Sequence, residues 1–470
     1  MHYHLLGIGG TAMGSLAGLL KEAGHTVTGS DENVYPPMST LLRTLGIGYA
    51  EGYGPSNLRS RPDMVVVGNA ISRGNPELEY LLNEKIPYTS AAATVKEEFI
   101  RGRTALAVAG THGKTSTTSL LAWLLESAGL APSFLIGGVA ENFGTSFRLT
   151  DSPWFVIEAD EYDTAYFDKG PKMWHYLPDV AIVNNIEFDH ADIYRDEAAY
   201  LFAFARFINL IPANGRLIAG WDSPHVRTLA QKSFASIESF GFGDEGAAEQ
   251  PLWHARDTQF GAVTRFTVLR GAETWGDVET PLAGAFSVRN CLAAIAAADA
   301  IGADRDGVRD GLRTYRSVRR RMEVRGEISG VTVIDDFAHH PTAVRETLAA
   351  ARQKYAGRRI VAVFEPRSYT AQRREFEDDY VQALLLADEI IFAGLFHPER
   401  YDAHTALRPD RLVLQWQAAG RAAAYVPAVD DIVAHVAATA QPGDVVMIMS
   451  NGAFGGIHEK LIVALEQLHS

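Results

Sequence analysis

The chain has 470 residues, a length that fits two to four domains with three as the central expectation and excludes a single small binding module. Apolar residues make up 47% and charged residues 21%, ordinary globular usage that excludes both wholesale disorder and a fibrous repeat. With 43 basic against 57 acidic side chains the net charge is −14, which argues against wholesale binding to nucleic acid or anionic membrane but leaves room for a local basic pocket.

A single cysteine, Cys291, excludes an intramolecular disulfide and a cysteine zinc cluster. The N-terminus lacks the basic segment and apolar core of a secretory signal. No stretch reaches roughly 18 uninterrupted apolar residues, so a cytoplasmic location is expected.

In chain order, residues 3–6 read as a short buried strand broken by Gly7, Gly9 and Gly10. A helix follows with Met13, Leu16, Ala17 and Leu20 at helical spacing, and Gly24 stops it. A second strand at 25–29 ends at Ser30 and Asp31, and an apolar run at 64–67 ends in the loop GNAISRGNPE. The first domain is expected over 1–98. A new strand at 105–109 feeds GTHGKTST and a helix over about 115–127. Apolar runs at 154–157 and 180–183 then stop at EADEYD and NNIEFDHAD, so strands alternate with helices and a parallel sheet is expected, with loops of function at its C-terminal edge. Residues 215–285 are less regular, with short β-like runs such as 264–269, and are assigned to the same central domain, 99–322. After SVRRRMEVRG the pattern restarts with strands at 331–334, 360–364, 389–393 and 445–449. Helices are expected after Pro341, near 372–386 and from about 457, giving a third α/β unit over 323–470.

Four groups of residues carry chemistry. Gly7-x-Gly9-x-x-Ala12 with Asp31 about 20 positions on is a general nucleotide signature. Glycines let the backbone approach a pyrophosphate at a helix N-terminus and the carboxylate can accept a ribose hydroxyl; NAD, FAD and a UDP-sugar all fit, and so does a plain tight turn. Gly110-Thr111-His112-Gly113-Lys114-Thr115-Ser116 lies between a buried strand and a helix, as a phosphate loop requires. Lys114 would neutralise phosphate charge and Thr115 would hold Mg²⁺, although Val108 stands where the usual pattern has its first glycine. Glu158 and His190 stand at or just past the ends of the next two strands and are read as metal-site residues, while Asp163 is read as part of a solvated turn and Asp160 and Glu161 are left unassigned. The late basic group, Arg319-Arg320-Arg321, precedes Asp335-Asp336-Phe337-Ala338-His339-His340 and Glu365-Pro366-Arg367, which close two further strands at a ligand edge. Arginine there suits bidentate anion contacts. The paired histidines lack a matching third metal ligand in the sequence, and SNGAFGG at 450–456 is a second anion site or a turn.

In this order GIGGTAMG with GSD, GTHGKTST, EADEYD, NNIEFDHAD, RRRME and DDFAHHP resemble the Mur ligases, the ATP-dependent amide-forming enzymes of peptidoglycan synthesis, over essentially the whole chain. They look like the branch that acts on UDP-N-acetylmuramate. Within it, NVYPPMST, FDK after EADEYD, EPRS and MSNGAFGGIHEK are most similar to the recycling members, which join that UDP-sugar to L-alanyl-γ-D-glutamyl-meso-diaminopimelate. The alternative inside the branch is the biosynthetic L-alanine ligase.

The resemblance implies three α/β domains: a Rossmann-like UDP-sugar domain, a central P-loop ATPase-like parallel sheet for Mg-ATP, and a Rossmann-like C-terminal domain. It implies Lys114, Glu158, His190 and Arg321 in catalysis, with Thr115, Glu158 and His190 around one or two Mg²⁺ ions. The phosphate-loop residues, Asn290, Arg321 and Asp336 would contact ATP. Gly7, Gly9, Gly10, Thr11, Ala12, Asp31 and Asn69 would contact the UDP-sugar, and His339, Arg367 and Asn451 the peptide.

Phe286 and Ser287 replace the His-Asn that usually precedes the adenine asparagine, and Ala205 stands where many family members carry a carbamylated lysine, a residue that the muramate branch also lacks. No obligate protein partner, nucleic acid or membrane insertion is expected. The rivals of other classes are a nicotinamide-dependent oxidoreductase, which leaves the second glycine loop unexplained, and a non-catalytic nucleotide switch.

Overall fold

A computed structural model describes residues 1–36, 38–189, 193–242, 250–397 and 404–468. Its first sheet is built from β1 (His2–Leu6), β2 (Thr26–Asp31), β3 (Gly48–Glu51), β4 (Met64–Val67) and β5 (Tyr88–Ser90), all parallel in the order β3-β2-β1-β4-β5. The strand order reverses between β1 and β4, which opens a crevice beyond their C-terminal ends.

The second sheet contains β6 (Thr104–Ala109), β7 (Ser133–Ala140), β8 (Thr145–Arg148), β9 (Trp154–Glu158), β12 (Val180–Val183), β13 (Arg216–Gly220), β14 (Ser236–Gly241), β15 (Trp253–Gln259), β16 (Thr264–Arg270) and β17 (Glu273–Thr280). A separate hairpin of β10 (Asp163–Ala165) and β11 (Asp168–Pro171) projects between β9 and β12 in sequence. The sheet order is β17-β16-β15-β14-β13-β12-β6-β9-β7-β8. Its centre is parallel, but β8, β16 and β17 pair antiparallel, so the sheet is mixed rather than purely parallel. The expected irregularity of 215–285 resolves into five strands of this same sheet. Their weak signal has a physical cause: β15 and β17 carry mostly half-buried or exposed polar residues, as strands with one wet face do.

The third sheet, β18 (Glu323–Ile328), β19 (Val331–Asp336), β20 (Ile360–Phe364), β21 (Glu389–Ala393), β22 (Ala422–Val426) and β23 (Val445–Met449), runs β18-β19-β23-β20-β21-β22. Strand β22 and the helices Pro409–Ala418 and Val429–Thr439 have no counterpart in the sequence reading. The helix expected near 372–386 is shorter, Glu377–Leu384, because the preceding residues form 3-10 turns tied to the 404–407 segment by Arg374 N donating to Thr405 O and Leu407 N to Gln372 O.

Burial explains why the central strands read as unbroken apolar runs. In β6, Ala105, Ala107 and Ala109 enter one core while Leu106 and Val108 enter the other, so both faces are covered. The alanine face lets the first domain dock: Leu16, Ala17 and Leu20 share a core with Phe147, Phe155 and Ile157. A Cβ on Gly18 would stand 2.1 Å from Phe147 Cζ, and Ser15 Oγ meets Ser146 Oγ at 2.8 Å beside it. A side chain at position 18 would displace the Phe147 ring from this interface.

Candidate active site

One cleft of about 2060 Å³ gathers residues from all three sheets: Thr11 and Ala12 from the first, residues 111–116, Glu158 and 184–189 from the second, and Asp336, His339 and Asn451 from the third. Each set lies at the C-terminal ends of parallel strands, where loops are free of the ladder and backbone groups point outward.

In the first domain, Gly7 ends β1 and the Gly68-Asn69 turn ends β4, so Gly7, Gly9, Gly10, Thr11, Ala12 and the exposed Asn69 flank the crevice. Asp31 accepts the Gly9 amide at 2.8 Å and the Tyr53 hydroxyl at 3.4 Å. A Cβ on Gly9 would lie 2.9 Å from the same carboxylate, so a side chain there would push Asp31 off the Gly9 amide. The sequence reading gave Asp31 a ribose; here it also braces the glycine turn.

The phosphate loop follows β6, between the ends of β9 and β12. The helix Lys114–Ser127 begins at Lys114 without a side-chain cap, an arrangement whose first amides can receive an anion. Gly113 has φ +81° and a Cβ there would meet Asn290 Oδ1 at 2.8 Å, so its backbone both bends left-handed and lies against Asn290. Asn290 is thus seated against the loop itself, on the buried side of the helix Ala285–Ala300; Ser287 is buried on the same helix and Phe286 lines the cleft. Thr111 turns inward to Tyr200 Oη at 2.9 Å and Glu187 O at 3.0 Å, while the Ser116 carbonyl accepts from Tyr315 Oη.

Lys114 Nζ donates to Gly110 O at 2.7 Å and meets Glu161 Oε2 at 2.7 Å, with Glu161 fully buried. Burial by itself would lower the lysine pKa, but the carboxylates of Glu161 and Asp160 outweigh it and the ammonium is held charged. The sequence assigns Glu161 no role; its only signal there is its place three residues after Glu158. Glu158 ends β9, accepts Thr115 Oγ1 at 2.9 Å and the Gly137 amide at 2.8 Å, and burial pushes its pKa up. Thr115 and Glu158 thus form an all-oxygen set suited to a hard divalent cation. His190, the third residue read as a metal ligand, lies outside the described residues.

Arg319, Arg320 and Arg321 separate in role. Arg319 pairs with Glu141 at 2.7 Å; Arg320 donates to Ser450 O and Gly452 O and pairs with Asp335 at 3.3 Å. Arg321 lines the cleft with its guanidinium 5.0 Å over the Phe337 ring. Ser317, Arg320 and Met322 all have positive φ, a strained crossing between the second and third sheets. Asp336 caps that crossing, accepting Met322 N and Ala338 N at 2.8 Å each, and burial raises its pKa. His339 and Asn451 reach the cleft. Arg367 is not among its lining residues; its guanidinium lies 3.9 Å over the Phe396 ring, and a Cβ on Gly452 would collide with it.

Family profiles match the chain in three consecutive blocks: Mur ligase family, catalytic domain, over 2–101; Mur ligase middle domain over 108–298; and Mur ligase, glutamate ligase domain, over 320–452. The chain is 45% identical to a UDP-N-acetylmuramate–L-alanyl-γ-D-glutamyl-meso-2,6-diaminoheptandioate ligase of Escherichia coli (strain K12), across 99% of this chain and 98% of the relative. It is 33% identical to a UDP-N-acetylmuramate–L-alanine ligase of Syntrophus aciditrophicus (strain SB), across 99% and 94%. The crystal structure of a murein peptide ligase from Psychrobacter arcticus 273-4 superimposes with a TM-score of 0.72 at 37% identity, covering 99% of both chains.

Proposed function

The chain belongs to the Mur ligase family, and from that membership we propose that it joins UDP-N-acetylmuramate to the tripeptide L-alanyl-γ-D-glutamyl-meso-diaminopimelate, with ATP cleaved to ADP and phosphate, in the recycling of peptidoglycan. The observation that carries the reading is the meeting of three strand-end loop sets, one per sheet, on a single cleft. A two-substrate condensation driven by a third molecule needs such a place. The tripeptide is preferred to L-alanine because identity is 45% to the relative named for the tripeptide and 33% to one named for L-alanine.

In this reading residues 1–98 hold the UDP-sugar, 99–322 hold Mg-ATP and 323–470 bring the peptide. A carboxylate is a poor acyl donor, so the muramate carboxylate attacks the γ-phosphate of ATP. The peptide amine then attacks the acyl phosphate and phosphate leaves. Lys114 and Arg321 face the charge that gathers when two anions meet, Lys114 from the phosphate loop and Arg321 from the crossing into the third domain. Thr115 and Glu158 would hold Mg²⁺, with His190 added by the family resemblance. The ion, when bound, supplies charge neutralisation at the phosphates. Asn290 and Asp336 are the nucleotide-side contacts, Gly7 to Ala12 and Asn69 the UDP-sugar contacts, and His339 and Asn451 the peptide contacts, with Arg367 behind them.

Among the described residues no helix is long and apolar enough to cross a membrane. A cytoplasmic place follows in this reading from its substrates, which are nucleotides. The test incubates the protein with UDP-N-acetylmuramate and Mg-ATP, adds L-alanine or the tripeptide in parallel, and follows ADP release with mass spectrometry of the UDP product. Tripeptide addition with little L-alanine addition is expected. The reverse selectivity would make it the biosynthetic ligase, and NADH consumption in place of amide formation would overturn both.

A further inference from the structure

A second group of ligating side chains lies where the central and third domains touch, apart from the oxygen set of Thr115 and Glu158. His112 comes from the phosphate loop, Glu187 from the loop after β12, and His340 from the turn that enters the helix Pro341–Lys354. His112 Nε2 lies 3.2 Å from Glu187 Oε2, and His340 Nδ1 lies 3.9 Å from the same oxygen. One ligating atom from each residue falls within 4.8 Å of the others, and the two imidazole rings stand 4.9 Å apart. The sequence offered the His339-His340 pair without a third ligand; the fold supplies Glu187 and His112 from segments more than a hundred residues away.

We propose that His112, Glu187 and His340 form a transition-metal site, for Zn²⁺ or an ion of similar softness, and that the bound ion clasps the third domain to the phosphate loop and slows turnover. Two imidazoles and a carboxylate with an open fourth position are a zinc donor set, whereas Mg²⁺ selects oxygen. Ligand bonds of about 2.0–2.2 Å in a tetrahedron put donor atoms roughly 3.3–3.5 Å apart, so the 3.2 and 3.9 Å to Glu187 lie near that spacing and the two imidazoles, within 4.8 Å, close on an ion by side-chain rotation.

The residues behind the ligands are held on both sides of the interface. The His112 amide donates to Asn185 Oδ1 at 2.9 Å and Asn185 Nδ2 donates back to His112 O at 3.2 Å, while the Thr342 side chain stands beside the Glu187 carboxylate and favours its charged form. His340 is buried, and its Nε2 has no hydrogen-bond partner among the described residues. Its Nδ1 accepts only a long 3.4 Å bond from Thr342 N, so an ion at the ring displaces little. Because His112 belongs to the phosphate loop and His340 to the third domain, an ion shared between them resists the parting of the two domains that substrate entry and product release require. The binding half stands on geometry alone; the slowing of turnover rests on the ligase reading.

The test uses the full chain, stripped of metal and held in excess Mg²⁺, titrated with Zn²⁺ by calorimetry and with Co²⁺ by visible absorption. One ion per chain with the absorption of tetrahedral cobalt is expected. Glu187→Gln and His340→Gln, each of which keeps a hydrogen-bonding side chain, should weaken Zn²⁺ binding by about 100-fold or more, since loss of an outer-shell partner alone costs about 10–100-fold. No Zn²⁺ uptake over the Mg²⁺ background, or equal affinity in wild type and both variants, would overturn the site whatever the enzyme's substrates prove to be. Buffered free Zn²⁺ should slow ADP release by the wild type more, relative to its own metal-free rate, than by Glu187→Gln. Stoichiometric binding with an unchanged rate would overturn the clasp.

Discussion

The Lys114–Glu161 pair gives the sharpest test of the phosphate loop. The ammonium meets Glu161 Oε2 at 2.7 Å, with the two side chains 12% and 0% exposed, so the pair is out of water. Removing one partner of a buried pair costs about 3–5 kcal/mol, because the other is left charged and unpaired. Lys114 keeps the carbonyls of Gly110 and Thr111, which points to the lower end, about 3 kcal/mol, for Glu161→Ala. At roughly 2–4 °C per kcal/mol for a domain of this size, the melting point falls by about 6–12 °C. Glu161→Gln retains shape and an acceptor and should lose about half as much.

Nucleotide reverses the order. A bound polyphosphate replaces the missing negative charge, whereas in the wild type it competes with Glu161 for the ammonium. ADP with Mg²⁺ should therefore raise the melting point of Glu161→Gln more than that of the wild type. Scanning calorimetry with and without ADP, on Lys114→Met, Glu161→Gln and the double variant, isolates the pair, and a coupling of about 1.5–3 kcal/mol is expected. Additive single variants, or Glu161→Ala melting within about 1 °C of wild type, would refute the reasoning.

Lys114→Ala should reduce ADP release by about 100-fold or more while calorimetric binding of UDP-N-acetylmuramate is unchanged, since the two sites stand on different sheets; loss of both would break the domain assignment. Gly113→Ala, at φ +81° and with its Cβ 2.8 Å from Asn290 Oδ1, should cost about 1–3 kcal/mol in thermal stability and weaken ADP binding, and a variant that binds ADP as wild type does would contradict the close approach. Burial pushes the His339 imidazole down to about 4, from an unfolded value of 6.5. Between those values the unfolded chain takes up a proton that the native ring refuses, so stability is full above pH 6.5 and falls as the pH drops toward 4, by at most roughly 3.5 kcal/mol at about 1.4 kcal/mol per unit. Melting points measured from pH 7 to 5 should fall less steeply in His339→Gln than in the wild type, and parallel curves would refute the assignment.

What was legible in the chain alone was local. The apolar runs at 105–109, 154–157, 180–183, 331–334, 360–364 and 445–449 became strands because a parallel sheet covered on both faces needs unbroken apolar residues, and that pattern needs no partner to be seen. The phosphate loop was legible for the same reason: glycine, lysine and hydroxyl spacing between a strand and a helix is a property of about a dozen consecutive residues. Strands with one wet face, such as β15 and β17, escaped because their polar composition reads as loop until a neighbour covers one side.

The tertiary structure alone decided which polar residues meet. Asp31 bracing Gly9, Asn290 seated against Gly113, Glu161 holding Lys114, and Arg320 rather than Arg321 spent on the Ser450 and Gly452 carbonyls all depend on chain crossings of 20 to 180 residues. The His112, Glu187 and His340 group is the extreme case: the sequence offers paired histidines without a third ligand, and a ligand set exists only once two domains close on each other. Periodicity and propensity act over a few residues, whereas the burial and electrostatic pairing that assign a charged side chain its task act across space, after the sheets have stacked.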